Sequence, residues 1–97
     1  MRKLIEQRDI ILKDFDFKRV ERVMKSLNWE WVDKDGIKYT PSENDLKVAA
    51  SLCLNQVIKS KEDEDTCCIG GFEALRINGV LELRFIVEKA NPLSNIL

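Results

Sequence analysis

Histidine is absent from these 97 residues. That removes the commonest general base, and with it most serine and cysteine nucleophile arrangements, which need an imidazole within hydrogen-bond reach. Cysteine is scarce, with three residues, and an odd number does not form a disulfide framework. Cys67-Cys68 is a vicinal pair rather than a C-x-x-C, and no fourth nitrogen or sulfur ligand completes a zinc site. The three thiols therefore read as buried side chains, with Cys53 on a buried helical face. No apolar run approaches the ~20 residues of a membrane span. Met1 to Arg8 starts basic but lacks the apolar segment of a signal peptide. The expectation is a cytoplasmic chain with no cofactor, no metal and no membrane contact, and one that is not an enzyme.

Charge of one sign is also lacking. The net charge is −1, which gives no global attraction to nucleic acid or to an anionic surface. Residues 1–25 carry +3 and the remainder −4. Arg2, Lys3, Arg8, Lys13, Lys18, Arg19, Arg22 and Lys25 would be the phosphate contacts of a nucleic-acid accessory protein. Acids interleave with them, which is the pattern of a solvated helix face. Glu62, Asp63, Glu64 and Asp65 are consecutive acids in an expected polar loop, with nothing apolar around them to raise a pKa for acid–base work. Asp33-Lys34-Asp35-Gly36 looks at first like part of a calcium loop. An EF-hand ending there would need oxygen ligands at its first and last positions, which are Trp31 and Ser42, so a plain turn is expected.

The clearest feature present is Asn78-Gly79 between two β-rich runs. Asn-Gly suits a two-residue turn in which both central residues take φ > 0. Counting outward, Ile77 faces Val80, Arg76 faces Leu81, Leu75 faces Glu82, Ala74 faces Leu83, Glu73 faces Arg84 and Phe72 faces Phe85. This sorts Phe72, Ala74, Leu83 and Phe85 onto one face and sets Glu73 against Arg84 on the other. Gly71 then lies opposite Ile86. Gly70-Gly71 runs into a strand rather than a helix, so it does not cradle phosphate. It predicts a bulge or a close backbone approach, with a helix or an indole of Trp29 or Trp31 over the missing side chain.

Elsewhere the pattern is helical. Asp16 caps a helix over residues 14–28 with Phe17, Val20, Met24 and Leu27 on one face, Phe15 and Val20 as a hydrophobic staple, and Asn28 as a left-handed stop. Thr40-Pro41-Ser42-Glu43 starts a second helix, Thr40 capping and Glu43 closing a capping box, which runs to about Ser60. Leu46, Ala49, Ala50, Cys53 and Val57 form its buried stripe, flanked by Leu54 and Ile58. Residues 1–13 predict a short helix or an ordered lead-in. Pro92 ends the last strand, and residues 90–97 predict a flexible tail.

Trp29-Glu30-Trp31-Val32 alternates as a short strand with both indoles on one side, and Ile37-Lys38-Tyr39 follows as a return strand. The indoles are core or lid residues, or else an aromatic binding surface. This order of Trp29-Glu30-Trp31, a Pro-capped helix, Gly70-Gly71-Phe72 and a strand ending Phe85-Ile86-Val87-Glu88 resembles small uncharacterised proteins of bacteria and their phages. The resemblance spans residues 15–88. It implies an accessory protein of a phage or mobile element and transfers no functional residue.

The expected fold is α+β, a single domain over residues 1–97. Two main helices pack on a small antiparallel sheet that ends in the hairpin. The sheet has three strands if Trp29–Val32 joins it and four if Ile37–Tyr39 does too. Its exposed edges favour a homodimer or a partner that adds a strand. The leading functional expectation is a protein-interaction module anchored by Trp29, Trp31 and Tyr39. The runner-up is the nucleic-acid accessory protein.

Overall fold

The computed structural model describes residues 3–62 and 64–86. Arg2, Asp63, the Val87-Glu88 strand end and the 90–97 tail therefore lie outside the described residues. The element order is α1 (Leu4–Asp14), α2 (Phe17–Ser26), β1 (Trp31–Val32), β2 (Lys38–Tyr39), α3 (Glu43–Lys59), β3 (Glu64–Ile69), β4 (Phe72–Ile77) and β5 (Val80–Phe85). The fold is α+β with the hairpin at its C-terminal side.

The β4–β5 register is the one counted from Asn78-Gly79, from Ile77↔Val80 out to Phe72↔Phe85. Asn78 and Gly79 sit at φ 51° and 77°, the left-handed values such a turn requires. The third strand of the sheet differs from the expectation. It is β3, paired antiparallel to β4, while β1 and β2 form a separate two-stranded ribbon. Gly70-Gly71 is accordingly no bulge. It is a second two-residue turn, flanked by the Ile69↔Phe72 pair, with φ 58° and 94°.

One face of the sheet holds the core. Phe72, Ala74, Leu81 and Leu83 point toward the helices with the buried Leu46, Ala50, Cys53, Leu54 and Val57 of α3. Phe72 is the hub, with ring centroids 5.2 Å from Phe85, 5.8 Å from Phe17 and 6.0 Å from Phe15. The other face carries Glu64, Thr66, Cys68, Glu73, Leu75, Ile77, Val80, Glu82 and Arg84, and no helix among the described residues covers it. Charges break up the apolar positions there, as on most one-sided antiparallel sheets.

The helix ends explain how the rest is placed. Asp16 accepts from Arg19 N–H and starts α2. At its end, Asn28 takes φ 55° while its N–H donates to Lys25 O and Trp29 N–H donates to Met24 O, a Schellman motif. That motif turns Trp29 into the core beside Met24, so the strand starts only at Trp31. The α3 cap lies two residues later than expected: Ser42 and Asp45 form the capping box. Both Thr40-x-x-Glu43 and Ser42-x-x-Asp45 fit the sequence rule. The second is realised because Glu43 N–H is held by Glu21 Oε2 of α2 at 2.7 Å, while Pro41 is buried ahead of the cap. The lead-in is the helix α1. Gln7 fixes it to the hairpin, donating to Gly79 O at 2.8 Å and accepting from Leu81 N–H at 2.9 Å. Arg76 reaches across to cap α3, its Nη1 donating to Ser60 O at 2.7 Å.

Candidate functional site

Asp33 shapes the loop that carries the site. Its Oδ1 accepts from the N–H groups of Asp35 and Ile37 at 2.8 and 2.9 Å, closing the turn between β1 and β2. The ribbon pairs Trp31 with Tyr39, so both rings stand on the same side, edge to face with centroids 6.2 Å apart. That side faces α3. Trp31, Tyr39, Asp45, Val48, Ala49, Leu52 and Ile69 line a groove of about 270 Å³.

Three of these side chains leave apolar surface in solvent: Tyr39 is 37% exposed, Val48 52% and Leu52 55%. Val48 and Leu52 are one turn apart on α3 and lie off its buried stripe. They were not singled out from sequence. The available signal was an apolar i, i+4 pair outside the face that packs the core. The indole of Trp31 forms one wall by lying against Gly70: a Cβ built there would sit 2.6 Å from Trp31 Cζ2. The close approach expected over the glycine pair is therefore real, and it falls on Gly70. Trp31 Nε1–H is shut off from solvent and has no acceptor among the described residues. A buried donor of that kind costs about 1–3 kcal/mol.

The three candidate anchors divide. Trp29 is 7% exposed and belongs to the core. Trp31 and Tyr39 are brought together at the groove. The only carboxylate in the lining, Asp45, accepts from Ser42 N–H at 2.9 Å in the capping box. The lining offers no nucleophile–base pair.

Several of the basic residues have partners and others stand in solvent. Arg8 bonds Asp9 and Asn55, Lys25 pairs with Glu21, and Lys18, Arg19 and Arg22 are exposed along α2. Among the described residues no group of three or more His, Cys, Asp or Glu is placed to hold a metal ion, and no helix is long and apolar enough to cross a membrane. Cys53 is fully buried, and burial pushes its thiol up to about 12, helped by its hydrogen bond with the Cys67 side chain. No family model, curated protein or solved structure matches the chain.

Proposed function

We propose that this chain is a non-enzymatic protein-interaction module that seats an apolar segment of a partner protein in the groove between the β1–β2 ribbon and α3. The observation that carries the reading is contiguous apolar exposure around a half-buried indole, with Tyr39, Val48 and Leu52 bordering Trp31. Single exposed apolar residues are ordinary, whereas several around a concavity mark a contact surface. Aromatic rings in such a concavity are the usual anchors of interface energy. The unpartnered indole N–H adds to the argument, because local costs of this kind collect at functional sites. An accessory role for a phage or mobile element, which the resemblance over residues 15–88 implies, accords with a small binding domain of this type.

The test is native mass spectrometry of the protein isolated from its own host, wild type beside Leu52→Asp. The expected wild-type spectrum carries the added mass of a second protein. Leu52→Asp loses that mass while keeping its thermal midpoint, because Leu52 is largely in solvent. Retention of the partner by Leu52→Asp, or a spectrum of bare monomer, would overturn the reading. A mass doubled by a second copy, also lost in Leu52→Asp, assigns the partner as the chain itself. Bound nucleic acid released by salt would favour the exposed cations of α2 instead.

A further inference from the structure

Two cysteines meet where α3 crosses β3. Cys53 lies on the buried stripe of α3, with its Sγ 2.8 Å from the backbone oxygen of Cys67. Alternation along β3 turns the Cys67 side chain inward, where it packs against the core cluster that contains Cys53. Cys68 points the other way, its Sγ 3.7 Å from Glu73 Oε2 on the open face. A disulfide needs two converging side chains on backbones about 4.4–6.8 Å apart, and the 2.8 Å approach of Cys53 Sγ to the Cys67 backbone oxygen makes the two residues direct neighbours.

We propose that Cys53 and Cys67 are a site of reversible oxidative modification, closing a disulfide across the α3–β3 seam when the protein meets a peroxide. Of the two, Cys67 is half-buried and is the thiol an oxidant reaches first, while Cys53 is fully enclosed. The Cys67 thiolate attacks one peroxide oxygen; the S–O bond forms, the O–O bond breaks and hydroxide leaves, giving a sulfenic acid. The Cys53 sulfur then attacks the sulfenic sulfur. The S–S bond forms, the S–O bond breaks, and the oxygen departs as water with the Cys53 proton. Two thiols and one hydrogen peroxide thus give one disulfide and two waters. The neighbouring position of Cys53 offsets its low acidity by making the second step intramolecular. Ala49, one turn before Cys53, and Ile69, two residues after Cys67, both line the groove. The link would therefore fix the seam beneath it, whatever the groove holds.

The experiment is hydrogen peroxide treatment of the full chain, followed by tryptic mapping without reductant. Lys59 and Lys61 lie between the two cysteines, so cleavage separates them unless they are linked. The expected result is a Cys53–Cys67 linked peptide pair, an intact mass lower by about 2 Da, and full reversal by dithiothreitol. Cys68→Ser should behave as wild type. Cys53→Ser should instead leave a Cys67 sulfenic acid that dimedone traps; should that variant fail to fold, the mapping of Cys68→Ser decides alone. Links through Cys68, covalent dimers between chains, or sulfinic acids without any link would overturn the proposal.

Discussion

Phe72→Ala is expected to cost about 3–5 kcal/mol, a large part of the ~5–15 kcal/mol that holds a domain of this size together. The ring is fully buried and touches Phe15, Phe17 and Phe85, which come from the α1–α2 connection, α2 and β5. Truncation removes the body that joins α2 and the α1–α2 connection to the sheet, and a rigid sheet position cannot collapse to fill the void. Thermal denaturation followed by circular dichroism should show the midpoint falling by roughly 15–30 °C, from the usual few degrees per kcal/mol at this length. Phe72→Leu keeps most of the volume and should fall by much less. A Phe72→Ala midpoint within a few degrees of wild type would mean that the helices are held by something other than this aromatic hub.

The place of Phe72 in the hairpin was visible in the sequence because its strand pairing is local. Asn78-Gly79 fixes the turn, and the pairs at Ala74↔Leu83 and Phe72↔Phe85 follow by counting. The strand on its other side was hidden. Glu64-Asp65-Thr66-Cys67-Cys68-Ile69 has acids at its start and apolar residues only at its end, so it lacks a strand's usual composition. What orders it is Gly70-Gly71, which supplies two left-handed residues and folds the segment back on β4. An acidic strand on a turn of that kind is a product of tertiary pairing rather than of propensity.

Gly70→Ala carries the second large effect. Gly70 lies at φ 58°, and a Cβ there would come within 2.6 Å of Trp31 Cζ2 and 3.0 Å of Cε2. Left-handed backbone costs a non-glycine residue about 1–2 kcal/mol, and the indole must also move. The expected loss is about 2–4 kcal/mol, accompanied by a shift in tryptophan emission as the groove wall is displaced. Gly36→Ala is the matched control: it too is left-handed, at φ 80°, but nothing lies within 4 Å of its Cβ. It should cost only the backbone term. Urea denaturation of the two variants separates the contributions, and equal losses would show that the Trp31 contact contributes nothing.

The groove itself was only half legible. Trp31 and Tyr39 drew attention as aromatics, but which indole faces inward depends on the Schellman motif at Asn28, a backbone event that alternation counting ignores. Val48 and Leu52 sit on a helix whose sequence already satisfies a core stripe at Leu46, Ala49, Ala50, Cys53 and Val57. Their exposure becomes informative only once the ribbon is seen to pack beside them.

The most direct test of the groove as the contact surface is site-specific photocrosslinking in the native host. A benzophenone side chain would replace Leu52 in one strain and Val80, on the open sheet face, in another. Both positions are similarly exposed, at 55% and 58%, so reactivity alone does not separate them. An adduct to a partner protein or a second copy at position 52, with none at position 80, is the predicted result. Adducts at position 80 and none at position 52 would place the contact on the sheet and contradict the account.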